Sequence, residues 1–200
     1  VREPYTDAMT EFAATPPLTG QRVRLRGLHE SDEAALARAA EGVTGLWYAP
    51  VPQPSDMAAE IARRLELKVQ GLMAPYVIED EKSVVGMTTF MNIDAANRRV
   101  ESGHTWIARE AQGSHVNPET KLLLLTRAFE ELDCIAVEFR AHFHNFRSRR
   151  AIEKLGAKRD GVLRSHRIVS GVLRDTAVYS ITAAEWPTVK LGLTERLAAL

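Results

Sequence analysis

At 200 residues, with 26 basic and 26 acidic side chains and 45% apolar residues, the chain can bury one substantial core and has no bulk attraction for nucleic acid or a membrane surface. It has no apolar run near the ~20 residues that a membrane span needs, and its first residues lack the pattern of a signal peptide. The single cysteine, Cys134, excludes an intrachain disulfide and fits a reducing, cytoplasmic setting.

Residues 1–17 are polar and proline-bearing and read as a loose arm ahead of a single domain over 18–200. Gln21 to Leu28 alternates apolar Val23 and Leu25 with Arg22, Arg24 and Arg26, the pattern of a half-exposed strand. Ser31-Asp32-Glu33 then starts a helix, and Gly42 to Pro54 is a loop carrying Trp47 and Tyr48. A second helix runs from Ser55 to about Gln70, with Met57, Ile61 and Leu65 on one face. Strands are expected at Tyr76 to Glu79, Ser83 to Ile93 and Arg98 to Ile107, joined by short polar turns of the kind that link antiparallel neighbours. A helix over residues 118–133 follows, then a strand at Ile135 to Phe143 and a short helix at Phe146 to Leu155. Two strands, around Lys158 to Arg164 and Thr176 to Thr182, and a helix from Glu185 to about Ala198 complete the chain.

The stretch Gln112-Gly113-Ser114-His115-Val116-Asn117-Pro118-Glu119 joins a strand to an apolar helix. Such a turn aims unpaired backbone N–H groups and the positive end of the helix dipole at one point, which suits a phosphate. Asn117 reads as the N-cap, Pro118 as the first helical residue and Glu119 as a complement to the dipole. The same residues would also make an ordinary capped helix, so local chemistry leaves both readings open. A second segment, Asn145-Phe146-Arg147-Ser148 through Leu155-Gly156-Ala157, is a short helix directly after a strand. Asn145 stands at its N-cap, with Ser148 three residues on.

In this order the two segments resemble the GNAT superfamily of acyl-CoA-dependent N-acetyltransferases, and within it the ribosomal-protein-alanine N-acetyltransferase subgroup. The phrases Asn117-Pro118-Glu119-Thr120-Lys121-Leu122-Leu123-Leu124, Ala151-Ile152-Glu153-Lys154-Leu155-Gly156-Ala157, Asp160-Gly161-Val162-Leu163-Arg164 and Glu185-Trp186-Pro187 carry the resemblance, which spans roughly Leu18 to Leu197. It implies an α/β (α+β) fold, a mixed, mainly antiparallel sheet of about seven strands flanked by helices. The sheet would be splayed between its fourth and fifth strands, with acetyl-CoA in the split.

The same resemblance implies roles for residues. The pyrophosphate loop falls on Gln112, Gly113, Ser114, His115, Val116 and Asn117, with His115 and Asn117 where the family has small residues. Asn117 can adopt the required dihedral. His115 is a departure that either narrows the path of the pyrophosphate or hydrogen-bonds it. The backbone at Trp106 and Ile107 would pair with the pantetheine arm, Asn145 would contact that arm or an ordered water, and Arg150 would help hold phosphates. Ser148 matches a hydroxyl that protonates the departing thiolate, and reads equally as a helix-capping hydroxyl. Trp47 and Tyr48 would shape the acceptor pocket, or pack beneath their loop.

The transfer needs a neutral amine, polarisation of the thioester carbonyl and a proton for sulfur. Glu101 and His104 are the candidate bases, on opposite faces if their strand alternates strictly, a count that a bulge would change. For Glu101 the reading as a rim carboxylate is slightly favoured over that as a base. The subgroup can carry an acid just after Leu163-Arg164, where this chain has Ser165-His166-Arg167.

His142 and His144 share an expected strand face, but no further ligand at convincing spacing accompanies them, so no metal is expected. Cys134 reads as a small buried residue. Arg140, Arg147, Arg149, Arg150, Lys154, Lys158 and Arg159 form a basic run with few interleaved aromatics, more a solvated face than a nucleic-acid patch. The expected function is an acetyl-CoA-dependent N-acetyltransferase acting on a protein N-terminus or a small amine. A non-catalytic acyl-CoA-binding module and a nucleic-acid-associated protein are the alternatives. The helix from Glu185 and the sheet edge offer a surface for a homodimer.

Overall fold

In the computed structural model, which describes residues 10–43, 51–81, 83–169 and 171–200, eight strands form one mixed sheet. They are β1 (Leu18–Thr19), β2 (Arg24–Gly27), β3 (Met73–Glu79), β4 (Val84–Asp94), β5 (Arg99–Ile107), β6 (Ala136–His142), β7 (Lys158–Val169) and β8 (Val172–Thr182), in the order β1-β2-β3-β4-β5-β6-β8-β7. Among the described strands only β5 and β6 pair in parallel; every other pair is antiparallel. The expected seven strands become eight because Leu18 and Thr19 add a short edge strand opposite Leu25 and Arg24. The expected split therefore lies between β5 and β6.

The helices are α1 (Glu33–Ala40), α2 (Met57–Val69), α3 (Val116–Thr126), α4 (Phe146–Glu153) and α5 (Trp186–Ala198). A π-helical turn over Arg127–Glu131 extends α3. Its Phe129 ring stacks on Trp186 of α5 at 5.3 Å, and Trp186 Nε1 donates to Glu130 Oε1 at 2.8 Å. Leu36, Met57, Ile61, Tyr76, Ile78, Met87, Phe90, Leu124, Phe139 and Tyr179 fill the core. Each such side chain contributes about 1.5–3 kcal/mol by leaving water. No helix among the described residues is long and apolar enough to cross a membrane.

Three differences from the sequence reading have local causes. β3 starts three residues early, because Met73, Ala74 and Pro75 are buried opposite Met91, Phe90 and Thr89 of β4. The β7–β8 hairpin is much longer than expected, and its outer part exposes Ile168, Val172 and Leu173, so the pattern of burial does not mark it as strand. Residues 10–17, read as the end of a loose arm, are pinned. Thr10 to Ala13 form a helical turn, Phe12 and Ala13 are buried, and Arg127 Nη2 donates to the carbonyls of Glu11 and Ala14.

Ladder pairing between β5 and β6 covers Arg99 to Glu101 against Ala136 to Glu138 and stops there. Beyond Glu101, β5 stays with β4 while β6 follows β8. The two strands part, and the split opens where the sequence changes from Val100-Glu101 to Ser102-Gly103-His104.

Candidate active site

A bulge in β5 shapes one wall of the split. Met87 of β4 faces Trp106, whereas Thr89 faces Gly103, so two steps along β4 match three along β5. His104 adopts the left-handed region at φ 46°. That conformation costs roughly 1–2 kcal/mol for a residue with a Cβ. Ser102 and Thr105, three residues apart, consequently share one face and both accept from Lys121 Nζ of α3, at 2.9 and 2.8 Å. The strict alternation expected for Glu101 and His104 does not hold through this segment.

Glu101 lies on the face of β5 turned away from α3, since it alternates with Ser102. At 6% exposure it is not a rim residue. Asn92 Nδ2 donates to its Oε2 at 2.6 Å, and Arg140 Nε stands 3.6 Å from the same oxygen. Arg140 also bonds Glu138, which Arg99 approaches at 3.9 Å. Burial pushes the Glu101 carboxyl above its ordinary range, although Arg140 and the Asn92 hydrogen bond oppose the shift. The His104 side chain is solvent-exposed by surface area, with protein atoms crowded around its ring. Burial, then the charges of Arg64 and Arg63 on α2, push its pKa down to about 4, so the imidazole is neutral at pH 7.

Arg167 contributes to the electrostatics of both Glu101 and His104. It comes from a second bulge, in β7, where Leu163 faces Thr176 but Arg167 faces Arg174. Ser165 takes φ 49° there, and its N–H donates to Asp175 Oδ1 at 2.7 Å. Asp175, on the opposite strand, is thus engaged at the bulge.

Beyond the end of β5 a short loop leads into the start of α3. The helix begins at Val116, with His115 in the N-cap position, so Asn117 is not the cap and Pro118 is the third helical residue. Proline is tolerated there because first-turn N–H groups have no intrahelical acceptor in any case. Ser114 performs part of the capping: its Oγ donates to the Ala111 carbonyl at 2.7 Å and accepts from Val116 N–H at 3.2 Å. Among the described residues, the N–H groups of Ser114, His115 and Asn117 find no carbonyl acceptor. Gly113 turns the chain at φ 81°, and a Cβ added to it would meet nothing within 4 Å. His115 Nε2 is buried without a partner among the described residues, which turns the imidazole inward. Gln112 bridges the split: its Nε2 donates to Ile107 O at 2.8 Å, and its Oε1 accepts from Arg147 Nη2 of α4 at 2.7 Å.

Asn145 caps α4 as expected, its Oδ1 accepting from Ser148 N–H at 2.9 Å. Ser148 is half-buried in the first turn of α4, next to Arg147, whose guanidinium reaches Gln112 of the loop. Trp106 and Ile107 are buried at the end of β5 past its pairing with β6. Arg150 is exposed on α4. Trp47 and Tyr48 lie outside the described residues.

The basic run is dispersed. Arg140 faces Glu101 and Glu138, Arg149 bonds Tyr179 and the Phe143 carbonyl, and Lys158 pairs with Glu185. His144 N–H donates to His142 Nδ1 at 3.1 Å, with the rings 5.7 Å apart. Burial pushes the Cys134 thiol up to about 12, which keeps it protonated. The sequence reading missed Asn92, the Glu138–Arg140 pair and Lys121. For Lys121 a signal was present, since it precedes the buried Leu124, Leu125 and Ala128 at helical spacing.

The family described as "Acetyltransferase (GNAT) domain" matches residues 22–158. YdaF of Bacillus subtilis (strain 168), named as a ribosomal N-acetyltransferase, is 32% identical over 145 residues, 70% of this chain and 78% of its own length. A GCN5-related N-acetyltransferase from Brucella melitensis superposes with a TM-score of 0.83 at 25% identity, covering 92% of this chain and 86% of that one. RimJ of Mycobacterium smegmatis, solved in complex with CoA-disulfide, shares the fold with a TM-score of 0.76 at 24% identity, over 91% of this chain and 93% of its own.

Proposed function

The chain belongs to the GNAT acetyltransferase family, and from that premise we propose that it moves an acetyl group from acetyl-CoA to a primary amine by direct attack in a ternary complex. The acceptor is a protein N-terminus or a small-molecule amine. The observation that carries the proposal is the split between β5 and β6, bordered by a helix start whose backbone donors are open. A glycine turn with free space above it suits the approach of a diphosphate to those donors. The CoA-disulfide bound by RimJ, which has the same fold, supports a CoA ligand here.

In this reading the loop from Gln112 to Asn117 receives the pyrophosphate, Arg150 assists with phosphate charge, and the β5 backbone near Trp106 and Ile107 aligns the pantetheine. Asn145 orients that arm through its amide nitrogen, the atom its capping bond leaves uncommitted. The amine nitrogen attacks the acyl carbon, and the carbon–sulfur bond breaks. Glu101, directly or through a water, receives the proton lost by the amine, with His104 the second candidate. The Ser148 hydroxyl gives a proton to the departing sulfur and regains one from solvent, to which Glu101 releases the proton taken from the amine. Trp47 and Tyr48 line the acceptor side. A lone, buried Cys134 fits a cytoplasmic enzyme.

Calorimetry with acetyl-CoA followed by thiol release across an amine library tests the proposal. Failure to bind acetyl-CoA at saturation would reject it. Binding without turnover on any amine would favour an acyl-CoA-binding module, and salt-sensitive retention of DNA or RNA would favour nucleic-acid association. The Glu101 role has its own signature. Because its pKa is raised, kcat/KM should climb with pH above the ordinary carboxylate range as the carboxyl loses its proton. Glu101→Gln should remove that limb and lower kcat on the order of 100-fold. A Gln variant with wild-type kcat and an unchanged pH profile would transfer the role to His104.

A further inference from the structure

Lys121 stands in the apolar seam of α3 at 6% exposure, ahead of the fully buried Leu124, Leu125 and Ala128. No carboxylate pairs with it among the described residues. Its partners are hydroxyls: Ser102 at 2.9 Å, Thr105 at 2.8 Å and, more weakly, Thr88 at 3.5 Å, while the Thr88 and Thr105 oxygens stand 2.8 Å apart. Burying an amino group here costs stability that an apolar chain of similar length would not. Core packing alone supplies no reason for a lysine at this position.

The partners suggest what it does. Ser102 and Thr105 bracket Gly103 and His104, the bulge of β5. This stretch has lost its ladder partner on the β6 side, skips the register with β4 at Thr88, and contains a residue in the left-handed region. It is the part of β5 least held by backbone pairing. One amino group with hydroxyls on both sides of the bulge replaces the missing ladder with side-chain bonds. Burial lowers its pKa to about 7. Neither protonation state dissolves the tie, because a neutral amine keeps two donors and one acceptor site.

We propose that Lys121 is a positioning residue for acyl transfer: by tying Ser102 and Thr105 to α3, it holds the β5 bulge from behind and keeps the backbone of Gly103 to Thr105 on a fixed course along the split. The catalytic half of this inference rests on the split being the acyl-transfer site. The mechanical half does not.

Lys121→Met, Thr105→Val and the double variant, made in the full chain, separate the two halves. Hydrogen exchange of the amides from Gly103 to Trp106 should quicken on the order of tenfold in Lys121→Met, with the melting temperature no lower than wild type. In thiol-release assays kcat should fall about tenfold or more, since small misplacements at a reacting centre cost up to roughly 100-fold. The acetyl-CoA Kd should stay within about threefold, and the double variant should be no slower than Lys121→Met, as coupled sites require. Unchanged exchange at the bulge, a kcat within about twofold of wild type, or additive losses in the double variant would overturn the proposal. If the wild type neither binds acetyl-CoA nor releases thiol, the acyl-transfer reading falls, while the exchange comparison still decides whether Lys121 holds the bulge. Should Lys121→Met not fold, Ser102→Ala removes one anchor alone: faster exchange at Gly103 to Trp106 supports the tie, and wild-type exchange sinks it.

Discussion

Two helices begin beside the split, and they end their chains of donors differently. At α4, Asn145 Oδ1 takes the Ser148 N–H and the His144 carbonyl takes the Phe146 N–H, so two of the first three donors are satisfied from the adjoining sequence. At α3, His115 in the cap position has helical dihedrals and no side-chain cap bond, and among the described residues Ser114 takes the Val116 N–H while those of Ser114, His115 and Asn117 find no carbonyl acceptor. A donor satisfied from within stabilises a helix, whereas a donor left open offers an anion site. Both starts carry an asparagine, yet Asn145 caps and Asn117 lies inside the first turn. The residue type did not distinguish the two roles; its place relative to the first helical residue did.

Substitutions can break this contrast, the most damaging at Gly113. Gly113→Val forces a β-branched residue to φ 81° and sends its side chain into the space above the open donors. The acetyl-CoA Kd should rise tenfold or more by calorimetry, with about 1–2 kcal/mol lost from folding stability. An unaltered Kd would remove the loop from the phosphate site. Ser148→Ala should lower kcat about tenfold in a thiol-release assay while affinity changes less than about threefold, and a wild-type rate would reject its acid role.

At the closed start the expected effect is on stability. Asn145→Ala should cost about 1 kcal/mol in denaturant unfolding. Asn145→Asp keeps the acceptor for Ser148 N–H but loses the amide donors. Retained stability with weakened acetyl-CoA binding in the Asp variant would show that one side chain serves both helix and ligand, and equal binding would leave it purely a cap. The smallest effect belongs to Arg147→Ala, which cuts the exposed link to Gln112. Stability should change by less than about 0.5 kcal/mol and affinity by about twofold. A larger loss of affinity would make the bridge across the split part of the ligand site.

Much of this arrangement was legible in the residues. The strand from Arg98 to Ile107, the polar loop after it, the cap at Asn145 and the stop at Gly156 follow from local signals: the polar turn ahead of the strand, a capping side chain, a glycine at φ 98°. The placement of Asn117 failed because Ser114 and Asn117 both qualify as caps, and hydrogen bonds made by the folded loop chose between them. Glu101 was left between base and rim because its burial depends on Asn92, Glu138 and Arg140, which come from two other strands.

The sequence by itself determined the elements and their polarity, since helix seams, strand alternation, caps and turns are set by residues within a few positions of one another. Only the tertiary structure decided which face each side chain took after the bulge at His104. It also decided that β5 parts from β6 after Glu101, and that a lysine and a glutamate on either side of one strand are both buried. A bulge shifts the two-residue period by one, and its position is set by the ladder with β4 and the hold of α3, neither of which is written in the neighbouring residues of β5.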